Sequence, residues 1–101
     1  MGRTRYEALG HFLGGWFHQD FDIEGETWEE VVDAYLRSAT THDAAAVARD
    51  VDAFLADAGP GADEAFARVF RPDVEPAGFG LTPSGWLVAL AARLRAAAGA
   101  R

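Results

Sequence analysis

The densest chemical functionality in the sequence lies in residues 18–31, HQDFDIEGETWEEV, and continues to Asp33. Asp20, Asp22, Glu24, Glu26, Glu29, Glu30 and Asp33 place seven carboxylates between His18 and Leu36, with no arginine among them. Carboxylates at alternate positions followed by a glycine suggest a calcium loop, which takes oxygen ligands at positions 1, 3, 5, 7 and 9, glycine at 6 and a bidentate glutamate at 12. Aligned on Asp20, the first half of that pattern is met by Asp22, Glu24 and Gly25. The second half is not, because Val31 occupies the last ligand position and Glu30 stands one place early, about 100° away around a helix. Thr27, where such a loop has an apolar residue, is better placed to cap the helix that follows. A calcium-responsive or other acidic helical interaction module is therefore the alternative reading. The preferred one is a surface for a protein partner.

No other constellation supports catalysis. The histidines are His11, His18 and His42, and their spacing matches no zinc signature. Ser38, Ser84, Thr40 and Thr41 read as caps or turn residues rather than members of a triad. There is no cysteine to serve as thiolate ligand, nucleophile or disulfide partner. The stretch GPGAD at 59–63 lacks the lysine of a phosphate-binding loop. The expectation is a protein that is not an enzyme, with no cofactor, no catalytic residue and no metal.

The charge distribution indicates what kind of partner to expect. Outside the acidic window the chain carries nine acidic residues and nine arginines, so the whole formal charge of −7 resides in one segment. Concentrated negative charge favours a cationic partner and disfavours nucleic acid, whose binders must supply positive charge to displace counterions. No run approaches the roughly 20 apolar residues of a membrane span. The first residues, MGRTRYEALG, lack the apolar stretch of a secretory signal, so the reading is a cytoplasmic protein with no membrane partner.

The elements that must position the acidic segment are helices. Periodicity predicts an all-α single small domain, a bundle of about five helices over residues 1–101, with 1–4 and 97–101 frayed. The first helix runs from about Tyr6 to Phe17, weakened by Gly10, Gly14 and Gly15; either a close helix contact or an early end would account for them. The second opens with Thr27-Trp28-Glu29-Glu30, the spelling of a capping box, and carries Trp28, Val31, Val32, Tyr35 and Leu36 on one face. A third begins near Asp43 and ends at GPG, and a short fourth spans about Asp63 to Phe70. The segment 71–82 reads as an ordered loop that Phe79 and Leu81 pin to the core. The last helix starts with Thr82 as N-cap and Pro83 at its first position. The chain has 21 alanines, which favour helix but add little volume, so three Trp, seven Phe, two Tyr and the Leu/Val set must fill the core.

Residues 14–36, GGWFHQDFDIEGETWEEVVDAYL, resemble the signature segment of the small helical immunity proteins of bacterial contact-dependent growth inhibition systems. The resemblance rests on Trp16, Phe17, Gln19, Asp20, Phe21, Asp22, Gly25, Thr27, Glu29 and Glu30. DVDAFLA at 50–56 and GLTPSGWLVAL at 80–90 are weaker echoes in the same order. Such a resemblance implies an inhibitor, monomeric when free, that binds the C-terminal toxin domain delivered by a neighbouring cell. Many such toxins are basic, which suits an acidic face. The predicted contacts are Asp20, Asp22, Glu24, Glu26, Glu29, Glu30 and Asp33 with Trp28 as an anchor, while Gln19, Phe21, Gly25 and Thr27 hold the loop.

Overall fold

A computed structural model describes residues 6–17, 27–70, 72 and 76–99. Among these the backbone forms five α-helices and no strand: α1 (Glu7–Trp16), α2 (Trp28–Ser38), α3 (Thr41–Ala58), α4 (Ala62–Phe70) and α5 (Pro83–Gly99). The all-α bundle expected from periodicity is the observed architecture.

Three of the five helices start on a threonine whose hydroxyl oxygen accepts a backbone N–H three residues on, satisfying a donor that the helix itself leaves unpaired. The Oγ1 of Thr27 accepts from the Glu30 N–H at 3.2 Å, and that of Thr82 accepts from the Gly85 N–H at 3.0 Å. At α3 the box is reciprocal. Thr40 Oγ1 accepts from the Asp43 N–H at 3.0 Å, and Asp43 Oδ2 accepts from the Thr40 N–H at 3.2 Å. That cap brings the start of α3 forward to Thr41. Gly59, with φ of +58°, ends the helix and leads through a 3₁₀ turn at Gly59–Gly61 into α4.

Helix α1 has no side-chain cap of its own. Its first turn is held instead by α3: Asp50 Oδ2 accepts the Leu9 N–H at 3.1 Å, and the Tyr6 hydroxyl donates to Asp57 Oδ2 at 2.6 Å. Asp50 and Asp57 stand about two helical turns apart, hence on one face of α3. The glycines of α1 have neither expected explanation. The helix continues to Trp16, and a Cβ built on Gly10, Gly14 or Gly15 meets nothing within 4 Å.

The largest helix–helix interface is that of α3 with α5. The core residues of these two helices, Val47, Val51, Phe54, Leu87, Leu90 and Leu94, are all nearly or fully inaccessible, and so are Ala44, Ala48 and Ala91, which are small enough for neighbouring helices to approach closely. Alanine thus contributes to the core through closeness rather than volume. Aromatic rings fill the remainder around Trp86, which is fully buried with Phe17 at 5.2 Å, Trp28 at 6.0 Å, Phe79 at 6.1 Å and Phe66 at 6.2 Å between ring centroids. Phe79, from a 3₁₀ turn at Pro76–Phe79, and Leu81 pack against the core as the loop reading anticipated. The α5 backbone stays helical to Gly99, beyond the fraying point expected from sequence. Alanine propensity favours this extension, and the Arg95 guanidinium ties the helix to α3 through the Ala48 carbonyl and the Asp52 carboxylate.

Truncating the core at Leu90→Ala is expected to cost roughly 2–5 kcal/mol in urea unfolding, a large part of the stability of a domain this size. Gly14→Ala is expected to act in the opposite direction. With open space for its Cβ, it should raise the unfolding midpoint by an amount corresponding to at most about 1 kcal/mol.

Candidate functional site

Of the residues predicted to meet a partner, Asp20, Asp22, Glu24 and Glu26 lie outside the described residues, as do Gln19, Phe21, Gly25 and His18. The remaining four are placed by α2. Thr27 caps the helix, so Trp28, Glu29 and Glu30 make up its first turn, where unpaired N–H groups and the macrodipole favour carboxylates by about 0.3–1 kcal/mol each. Trp28 turns into the core with 8% of its surface exposed, edge-on to Trp86. Glu30 is exposed, and Glu29 and Asp33 are half-buried. Val31 is fully buried. The residue standing where a calcium loop needs its bidentate glutamate is therefore a core side chain, which argues against that alternative.

Asp33 does not stand as a bare carboxylate. Arg93 of α5 grips it with both ends of its guanidinium fork, Nε to Oδ1 at 3.1 Å and Nη2 to Oδ2 at 2.9 Å. This two-point geometry is the strong form of a carboxylate–arginine pair. Its hydrogen bonds hold the Asp33 carboxyl below the usual carboxylate range against the opposing effect of partial burial, with the charges of Arg93 and Arg37 adding to the lowering. Arg93 is pushed up correspondingly, first by the bond to Asp33 and also by the charges of Asp33 and Glu29. A window with no arginine along the chain thus acquires one in space.

Beside this pair a shallow groove of about 430 Å³ runs between α2 and α5, lined by Trp28, Glu29, Ala89, Ala92, Arg93 and Ala96. Its floor is small and apolar, and its rim carries one carboxylate and one guanidinium. Such a surface can take a side chain and orient it by charge. It offers no nucleophile. The alanines were hidden in the sequence behind the overall Ala enrichment. Arg93 gave a faint signal, lying three residues after Leu90 at the flank of the buried stripe. His11 and His42 are exposed, and no cluster of three or more metal-ligating side chains occurs among the described residues. Nor is any helix among them long and apolar enough to cross a membrane.

With side chains 39% and 45% exposed, Arg93 and Asp33 are well screened, and their coupling in a double-mutant cycle of Asp33→Asn and Arg93→Gln is expected near the upper part of the ~0.2–1 kcal/mol range of exposed pairs. Because folding lowers the carboxyl pKa, this contribution is complete above the ordinary carboxylate range of about 4. It should disappear as pH falls through the lower folded value, which urea unfolding of the four proteins at neutral and acidic pH will show.

No curated protein and no solved structure matches the chain. The family model described as CdiI immunity protein matches residues 5–94, a span that takes in the acidic window and all five helices except the end of α5. The chain therefore belongs to the CdiI immunity protein family, whose role is toxin neutralisation in contact-dependent growth inhibition.

Proposed function

We propose that this protein neutralises the C-terminal toxin domain of a contact-dependent growth inhibition system by binding it one to one, in the cytoplasm, through the acidic segment and the α2 face that continues it. The observation that carries the reading is the family match over residues 5–94. The charge arrangement supports the choice of surface. Glu30 is exposed and Glu29 half-buried at the start of α2, and Asp20, Asp22, Glu24 and Glu26 immediately precede them in the chain. A partner with a basic surface is steered towards such a face, and the contribution appears mainly in the association rate. Trp28 serves as a wall of the α2–α5 groove, while Asp33 acts through Arg93 by fixing the groove's rim. The protein is a monomer until it meets the toxin and needs neither cofactor nor catalysis, because occupying the toxin's working surface is sufficient.

The test is association kinetics with the purified toxin domain from the adjacent gene. Reversing Asp22, Glu26 and Glu30 to arginine, which leaves the Asp33–Arg93 pair intact, is expected to slow association at least tenfold at low salt and to flatten its salt dependence. Unchanged association at low ionic strength would remove the acidic face from the account.

A further inference from the structure

A second cleft, of about 340 Å³, opens between α1, the C-terminal half of α2 and the start of α3. None of the residues predicted from sequence to meet a partner lines it. Its walls are aromatic: Phe12 and Trp16 from α1 and Tyr35 from α2. The three rings brace one another, with Tyr35 at 4.8 Å and 73° to Phe12 and at 5.7 Å and 75° to Trp16. Asp43 stands at the opening, with Oδ2 engaged by the Thr40 N–H of the capping box and no hydrogen bond to Oδ1 from the described residues. Burial and then the charge of Asp43 push the Tyr35 hydroxyl above its ordinary pKa.

Aromatic faces carry negative charge density and attract a cation within about 6 Å of the ring centroid, more strongly when the site is desolvated. A carboxylate beside such faces adds a full opposite charge. No arginine or lysine is among the described lining residues, and His11 is exposed at the rim. The volume lies at the low end of the roughly 300–1,000 Å³ of protein pockets, room for one long side chain rather than a large ligand. Of the cationic side chains, arginine fits this combination better than lysine, since its planar guanidinium stacks on rings and pairs with carboxylates in the same geometry. We infer that this cleft receives an arginine side chain of the toxin, with the guanidinium against Trp16 and Tyr35 and paired with Asp43. The identity of the partner rests on the proposed function; the guanidinium preference of the cleft does not. The cleft would make a second contact, separate from the α2–α5 groove, that fixes orientation once the acidic segment has steered the encounter.

A Cβ at Gly15, which lines the cleft, meets nothing within 4 Å, so Gly15→Gln places a side chain over the opening. Asp43→Asn removes the charge and keeps an amide oxygen for the Thr40 N–H. Circular dichroism checks that both variants remain helical. In an NMR titration of the full chain with N-acetylarginine amide, saturable shifts are expected at His11, Gly15, Trp16, Tyr35 and Asp43, lost in Gly15→Gln and weakened in Asp43→Asn. The neutral citrulline analogue should leave these signals unmoved. Absent shifts, or equal shifts with citrulline, would overturn the cation site, and an equal response to the lysine analogue would overturn the guanidinium assignment. With the toxin domain, Gly15→Gln is expected to weaken binding roughly two- to thirtyfold, the range of a cation–aromatic contact. Unaltered toxin affinity in Gly15→Gln would remove the cleft from the interface. Failure of the wild-type chain to bind the toxin would overturn the functional reading, and the arginine probe would still decide the cleft.

Discussion

Helices α3 and α5 share the largest helix–helix interface, and their buried Val47, Val51, Phe54, Leu87, Leu90 and Leu94, with Ala44, Ala48 and Ala91, make up much of the core on which the shorter helices depend. Apolar burial of this kind supplies most of the favourable free energy of a small domain but has no direction of its own. Direction comes from carboxylates placed around the core. Asp50 and Asp57 hold the start of α1, Asp33 of α2 is locked to Arg93 of α5, and Asp63 of α4 accepts the Ser84 N–H at 2.8 Å in the first turn of α5. The described acids therefore divide into two groups. One group serves inside the fold as caps and clamps, and Asp43 does so while also facing the cleft between α1, α2 and α3.

That division sharpens what the net charge means. A formal charge of −7 on a protein of this size suggests an acidic surface everywhere, yet the carboxylates of α3 and α4 are largely engaged in positioning helices. On α2, Arg93 grips Asp33. The proposed steering of a basic partner rests on Glu29, Glu30 and the acids just before them in the chain. Long-range steering needs such a concentration, because charges spread evenly over a surface are screened within about 8–10 Å at ordinary salt.

Much of the helical framework could be read from sequence because its signals are local. Thr27 and Thr82 are caps, Pro83 opens α5, and Val31 and Val32 are buried in the middle of the stripe that begins at Trp28. Each of these depends on neighbours within about two helical turns. The contacts that orient one helix on another span much longer distances along the chain, 41 positions for Asp50 to Leu9, 51 for Tyr6 to Asp57 and 60 for Arg93 to Asp33. No periodicity reports such a pairing. The same limit hid both clefts. Phe12, Trp16 and Tyr35 read as core residues on amphipathic stripes, and only the angle between α1, α2 and α3 leaves their rings lining an opening. Trp28, read both as the start of the α2 stripe and as an anchor for a partner, packs edge-on to Trp86 below the cap at Thr27.

Inhibition as proposed here acts by occupancy. The protein should inactivate no more toxin molecules than there are copies of itself. The most direct measurement is the residual activity of a fixed concentration of purified toxin domain, well above the dissociation constant, as this protein is added. The account predicts a linear fall that reaches its floor at one equivalent. Complete loss of activity at a small fraction of an equivalent, or no loss at several equivalents, would contradict it.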